Sequence, residues 1–193
     1  MKNLLLPALL LSLSVCLQAQ YEYNPSDEHP FGQPHPEAPD EIMDYHPMIG
    51  ICDCNSTSRN PDGTWADTIT MIWEWRYIMN GWGVQDLTLK EDGVNSGSIR
   101  QFNADSSQWY VHYFSSNSPT PRLSSWAGGM VGDDIILYKD QTAPNGMEGK
   151  YKITFHNISD EGFHWKGEWV NPTETIIYPT WYIECVKQKR DKG

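Results

Sequence analysis

MIWEWRYIMNGWGVQD, Met71 to Asp86, contains two runs of alternating side chains on either side of Asn80-Gly81. Asn-Gly is the strongest short signal for a β-hairpin, because both central residues of a type I′ turn need positive φ. The pattern therefore predicts two antiparallel strands, Thr68 to Met79 and Trp82 to Lys90, joined at this pair. Rings alternate with other side chains along the first strand, which indicates that one of its faces is buried.

The chain after Met48 shows the same period-two alternation, in segments bounded by turn residues. About ten strands follow one another at spacings of roughly eight to twelve residues, with no amphipathic helix between them and no transmembrane span. This order predicts an all-β fold, an antiparallel up-and-down barrel, because closure leaves no unpaired edge. Pro179 in the last strand predicts a bulge or a kink on an exposed edge, since proline cannot donate to the ladder.

The N-terminal stretch has the composition of a targeting segment. One basic residue, an apolar run and small residues at its end predict a secretory signal peptide over residues 1–19. We therefore expect a secreted or periplasmic protein. Acylation of Cys16, as in a lipoprotein, is the alternative, although Val15 stands where a lipoprotein signal normally has Gly, Ala or Ser.

Residues 20–47 contain six prolines and seven acidic residues, without any Lys or Arg. We expect this acidic, Pro-rich leader to be disordered or to lie on the surface. A single barrel domain over residues 48–190 is expected to follow it. The chain has a formal net charge of -11. Nucleic acid is therefore not expected as a partner, because binding its phosphates requires a basic face.

Three cysteines remain after removal of the predicted signal peptide. Cys52 and Cys54 share one face of a strand, so either can pair with Cys185 if the first and last strands are neighbours. Export permits a disulfide, and the odd number leaves one thiol over. A metal site is not expected, because two thiolates need further ligands and the sequence has no second Cys or His pair of this kind.

Alternation also predicts which side chains face the barrel interior. Arg100 has two interpretations: an inward arginine needs a carboxylate or an anionic ligand, whereas an outward one pairs with a neighbouring strand. The aromatic candidates lie on the second, fifth and ninth strands. Together the candidate ligand-binding residues are Trp73, Trp75, Tyr77, Arg100, Trp109, Tyr113 and Trp165.

No catalytic motif is evident: Gly-x-Ser-x-Gly, a phosphate-binding glycine loop and His-Glu-x-x-His are all missing from the sequence. No catalytic residue and no cofactor are therefore expected. If haem were bound, His112 would be its ligand, because Tyr110 and Phe114 share its face. An enzyme would need at least two groups that converge inside the barrel, drawn from Glu74, Asp86, His112 and Glu168.

A family resemblance is carried by four segments, WEWRYIMNGWGVQD, GSIRQFNADSSQWYV, GKYKITFHNISDEGFHWKGEW and TWYIECVKQKR. In this order and spacing they resemble the bacterial domain-of-unknown-function family DUF1579, over about Ile49 to Arg190. The resemblance implies a lipocalin-like, calycin-type barrel and brings no established activity. Cys52 stands where the family often has tryptophan, which implies that a disulfide replaces a ring at the barrel base. The proximal histidine of the haem-binding nitrobindin relatives has no counterpart in this chain.

The function expected from these observations is that of a binding module. The barrel would hold a small apolar or amphipathic ligand against its rings, with Arg100 fixing an anionic end. Two alternatives stay open, and the oligomeric state is left open as well. One is a hydrolase, lyase or isomerase that uses an inward carboxylate or histidine; the other is an interaction or structural protein that uses the leader or an exposed aromatic patch.

Overall fold

A computed structural model describes residues 21–189, so the predicted signal peptide over residues 1–19 lies outside the described part. Asp40–Met48 forms a 3-10 helix, called the end helix below. Ten strands follow: β1 Gly50–Ser58, β2 Ile69–Ile78, β3 Gly83–Lys90, β4 Asn95–Asn103, β5 Gln108–Ser115, β6 Ser124–Val131, β7 Asp134–Asp140, β8 Lys150–Ser159, β9 Gly162–Val170 and β10 Ile177–Lys187. Among these residues, no helix has both the length and the apolar character needed to cross a membrane.

The ten strands close on themselves. Each strand pairs antiparallel with its neighbours in the sequence, and β1 also pairs with β10. The predicted all-β, antiparallel up-and-down barrel is therefore confirmed. Closure satisfies the backbone groups that an open sheet would leave unpaired at its two edges.

The β2–β3 hairpin sets the register of the barrel interior. Asn80 and Gly81 have positive φ angles of 53° and 84°, as the turn prediction requires. Trp75 is then paired with Asp86 across the hairpin. Directly paired residues point to the same side of a sheet. Because the aromatic residues of β2 point inward, the polar residues of β3 that are paired with them also point inward.

The end helix fills one end of the barrel. Ile42, Tyr45 and Met48 are buried on its inner side, and their spacing of three residues matches the three residues per turn of a 3-10 helix. Tyr45 packs against Trp75 and Trp109, with ring centroids 5.7 and 4.8 Å apart. This layer of rings leaves the barrel closed at the end where the helix enters.

The leader differs from its prediction. Residues 20–47 were expected to be disordered or to lie on the surface, but Asp40–Met48 contributes buried side chains to the core. Further upstream, Tyr77 N donates a hydrogen bond to Phe31 O at 2.8 Å, which attaches the leader to β2. Only a few apolar residues anchor the segment, and the prolines and acidic residues around them give it the composition of a disordered leader.

Cys54 and Cys185 form a disulfide across β1 and β10, the seam at which the barrel closes. The two residues are directly paired, with their Cα atoms 4.1 Å apart. Cys52 lies opposite Lys187 instead, and its thiol is free and buried. Strand register therefore decides between the two candidate partners of Cys185.

Pro179 lies at the predicted bulge. The register between β9 and β10 shifts between Pro179 and Trp181, and Arg59 Nε donates a hydrogen bond to Pro179 O at 2.7 Å. The ladder between β1 and β10 ends at the Ser58–Trp181 pair, whereas Pro179 is paired with Glu168 of β9. Pro179 therefore lies on a local edge of an otherwise closed sheet, where its missing N–H costs no ladder hydrogen bond to β1.

We expect the free thiol to be inert in the folded protein. In the chain from Gln20 onward, iodoacetamide should modify no cysteine before unfolding, one after unfolding, and three after unfolding and reduction. Burial raises the pKa of Cys52 to about 11, so little thiolate forms at neutral pH. Mass spectrometry of proteolytic peptides would locate each adduct. Labelling of Cys54 or Cys185 without reduction would contradict the assigned pairing.

Candidate functional site

A cavity of about 340 Å³ occupies the barrel between the filled end and the opposite end. Lys90, the last residue of β3, and Ser124, the first residue of β6, both line it. The cavity therefore opens where these strands terminate, at the end opposite the end helix. Its volume lies near the lower limit of the roughly 300–1,000 Å³ found for small-molecule sites.

One wall of the cavity is aromatic. Trp165 and Trp181 meet edge to face with centroids 5.3 Å apart, and Trp126 and Tyr151 meet similarly at 6.4 Å. These rings come from β6, β8, β9 and β10, and Trp73 and Phe155 extend the same surface deeper into the barrel. Rings of this kind offer a large apolar contact area at a low cost in conformational entropy.

The other wall is polar and comes from two adjacent strands. Every cavity-lining residue of β3 and β4 carries a hydroxyl or a charge; they are Asp86, Thr88, Lys90, Ser96, Ser98 and Arg100. The strand register pairs Asp86 with Ser98 and Thr88 with Ser96, and the Thr88 and Ser96 hydroxyls are hydrogen-bonded to each other. The cavity therefore presents hydrogen-bonding groups on one side and rings on the other.

Asp86 is the centre of the polar wall. Its carboxylate pairs with the Arg100 guanidinium and accepts a hydrogen bond from the Ser98 hydroxyl. It also accepts one from Trp73 Nε1 at 2.8 Å. The two charged side chains are each 4% exposed. A buried charge is tolerated when it is paired and its remaining lone pairs are satisfied. The Asp86 carboxylate meets that condition, whereas Arg100 Nε is buried without a hydrogen-bond partner among the described residues.

Arg100 lies below the cavity, over the rings of the filled end. Its guanidinium carbon is 4.3 Å from the Trp75 ring centroid and 5.1 Å from that of Tyr45. Burial lowers the pKa of Arg100 to about 10, which leaves the group charged at neutral pH. Of its two interpretations, the inward one with a carboxylate partner describes this structure. Because Asp86 neutralises it, Arg100 is not a free cation for a ligand.

The structure divides the seven predicted ligand-binding residues into two groups. Four of them line the cavity: Trp73, Arg100, Tyr113 and Trp165. The other three do not line it and belong to the packed end of the barrel, with exposed fractions of 1% or less: Trp75, Tyr77 and Trp109. Residues of one inward row lie at different heights in the barrel, and the end helix covers only the lower layer.

The end helix also satisfies polar atoms of this lower layer. Trp109 Nε1 donates a hydrogen bond to Asp44 Oδ2 at 2.9 Å, and the Tyr77 hydroxyl is hydrogen-bonded to His46 Nδ1 at 2.9 Å. Burial raises the pKa of Asp44, and the bond from Trp109 opposes that shift. These contacts hold the rings of Trp109 and Tyr77 in the packed end of the barrel, outside the cavity.

Several cavity residues were not among the ligand-binding candidates, namely Asp86, Lys90, Trp126, Lys139, Tyr151 and Trp181. A signal for the first two was present in the sequence. A two-residue turn at Asn80-Gly81 places Trp75 opposite Asp86, and the same register places Met71 opposite Lys90. The inward face of β2 therefore identifies the inward face of β3.

The residues considered for catalysis do not converge. Glu74 lies on the outer face with Arg76, with 3.9 Å between Glu74 Oε1 and Arg76 Nη1. His112 is hydrogen-bonded to Ser125 Oγ at 2.7 Å on the outer wall, so it does not face the cavity as a haem ligand would. Glu168 pairs with Lys166 and does not line the cavity either. Of the four candidates, only Asp86 lines the cavity.

Comparison with solved structures finds other barrels of this type. The crystal structure of Rv2717c from M. tuberculosis matches with a TM-score of 0.52 and 10% identity, over 79% of this chain and 100% of that one. The S-type phycobiliprotein lyase CPES from Guillardia theta matches with a TM-score of 0.49 and 6% identity, over 79% and 99%. At these identities the likeness to Rv2717c shows the lipocalin-like barrel fold alone.

No family model matches the chain. No curated protein matches it either. The resemblance to DUF1579 therefore stays a prediction.

Proposed function

We propose that this barrel is a binding module for a small amphipathic molecule, which enters through the open end and lies between the polar and the aromatic wall. The observation that carries the proposal is the two-sided cavity of about 340 Å³. A fully packed barrel would have no room for a ligand, whereas here the packed layer ends at the rings around Arg100. A ligand with one hydrogen-bonding edge and one apolar face matches both walls.

The disulfide supports the predicted cellular location of the protein. Structural disulfides persist in oxidising compartments and are rare in the cytosol of mesophiles. The bond between Cys54 and Cys185 therefore fits the proposed secreted or periplasmic location. We propose export on these grounds, together with the composition of residues 1–19.

We expect N-phenylnaphthylamine, a neutral aromatic probe, to bind the wild-type protein with an increase in fluorescence. Ile153→Trp should weaken this binding at least about tenfold, because Ile153 lines the cavity and a larger side chain occupies the space of the probe. A fluorescence titration of each variant measures the change in Kd.

Ile72→Trp is the matched control. Ile72 is 41% exposed on the outer face of β2, so the same side chain is added without any loss of cavity volume. Equal probe affinity in both variants would place the probe on the outer surface and overturn the proposal. Circular dichroism of each variant checks that the barrel is folded.

A further inference from the structure

Two lysines lie at the mouth of the cavity without a carboxylate partner. Lys90 Nζ is 4.4 Å from the Trp181 ring centroid, and Lys139 Nζ is 4.5 Å from that of Trp126. Within the described residues, neither ammonium has a carboxylate within 4.0 Å. Their contacts with the rings hold them over the cavity walls. In the part of the chain that the structure describes, neither ammonium donates a hydrogen bond to a protein acceptor.

The charge of the cavity is opposite to that of the chain. Its charged lining residues are three cations and a single carboxylate, and that carboxylate, Asp86, is already neutralised by Arg100. The two lysines therefore give the cavity a formal charge of +2, whereas the whole chain carries -11. The cavity lining is thus net positive within an acidic chain.

The two ammonium groups are also partly removed from water. Both lysines are half-buried, and burial lowers the pKa of each side chain. Asp92, in the turn after β3, opposes the shift at Lys90 but lies beyond ion-pair distance. A desolvated cation without a counterion is stabilised when an anion binds it. A cation–π contact compensates for only part of that lost hydration.

We propose that the ligand carries an anionic group of the carboxylate or sulfonate class, held at the mouth between Lys90 and Lys139, while its apolar body lies in the cavity. The inference rests on the proposed function and specifies the chemical class of the ligand. It also moves the anion site from Arg100, where the sequence placed it, to the two lysines. The aromatic wall below them contacts the body of the ligand.

Two fluorescent probes test the inference, because they differ by one charged group. Anilinonaphthalene sulfonate has the ring system of N-phenylnaphthylamine with a sulfonate added. We expect the sulfonate probe to bind the wild-type protein more tightly than the neutral probe. The double variant Lys90→Met/Lys139→Met should weaken binding of the sulfonate probe about tenfold. The affinity of the neutral probe should change by less than about twofold, because Met retains most of the apolar stem.

Two control variants separate local from general effects of charge. Lys189→Met removes the same charge from an exposed position at the other end of the barrel, and we expect it to leave both affinities unchanged. Lys90→Arg/Lys139→Arg keeps both charges and should retain tight binding of the sulfonate probe. Added salt should weaken binding of that probe alone, since it screens the two partly exposed ammonium groups.

The outcomes distinguish this inference from the proposed function. If the neutral probe binds in the cavity but the double variant leaves the ratio of the two affinities unchanged, the anion site is overturned and the binding module stands. If neither probe responds to Ile153→Trp, the proposed function itself fails. A selective loss of sulfonate affinity that Arg restores supports the inference.

Discussion

Asp86→Ala is expected to lower the free energy of unfolding by about 3–5 kcal/mol, because it leaves the Arg100 charge uncompensated inside the barrel. The ion pair is 4% exposed on each side, so little solvent is available to rehydrate the guanidinium. Ser98 and Trp73 also lose the acceptor to which they donate. Urea denaturation followed by tryptophan fluorescence measures the loss.

Glu74→Ala provides the matched comparison for a carboxylate paired with arginine. The side chains of Glu74 and Arg76 are each 36% exposed, and their charged atoms are 3.9 Å apart. An exposed pair of this kind contributes about 0–1 kcal/mol. Similar losses for Asp86→Ala and Glu74→Ala would show that the Asp86 site is hydrated, contrary to the 4% exposure of its ion pair.

A double substitution separates the cost of an orphaned charge from any stabilisation by the pair. Asp86→Leu/Arg100→Met removes both charges and keeps apolar volume, so we expect it to be closer to wild type in stability than Asp86→Ala. If the double variant were less stable than Asp86→Ala, the pair itself would be strongly stabilising. The polar wall would then be a structural requirement of the fold.

Tyr45→Ala should lower the free energy of unfolding by about 3–5 kcal/mol, the usual cost of truncating a large buried aromatic side chain. Tyr45 is fully buried, and its ring packs against Trp75, Trp109 and Phe155. Its loss opens a cavity at the filled end of the barrel and removes the main anchor of the end helix. The midpoint and slope of urea denaturation measure the effect.

Tyr21→Ala is the control for this substitution. Tyr21 belongs to the same N-terminal segment but is 60% exposed, so we expect a change within about 0.5 kcal/mol. A loss below about 1 kcal/mol for Tyr45→Ala would mean that the end helix contributes little to stability. The leader would then behave as its composition predicted.

The elements of the fold were predictable because they depend on local signals. The Asn80-Gly81 turn, the period-two alternation and the bulge at Pro179 are each encoded within a few residues. Closure of the barrel followed from the number of strands, since an edge would remain otherwise. The end helix was missed because its helical pattern is short and lies within an acidic, Pro-rich composition.

The disulfide shows where local patterns stop being informative. The sequence placed Cys52 and Cys54 on the same face of β1 but left both as partners for Cys185. The choice depends on the stagger of β10 against β1, which pairs Cys54 with Cys185. That stagger follows from closing the whole barrel, because it is shared by all ten strands.

The sequence by itself determined that this protein is an antiparallel barrel with an aromatic row facing inward, because alternation and turns act between neighbours in the chain. Only the tertiary structure decided how much of that interior is empty. Tyr45 and the end helix fill the layer around Trp75, whereas the layer around Trp73 remains an open cavity. The difference arises from residues far apart in sequence that pack at the same height of the barrel. Long-range packing of this kind leaves no periodic trace in the sequence.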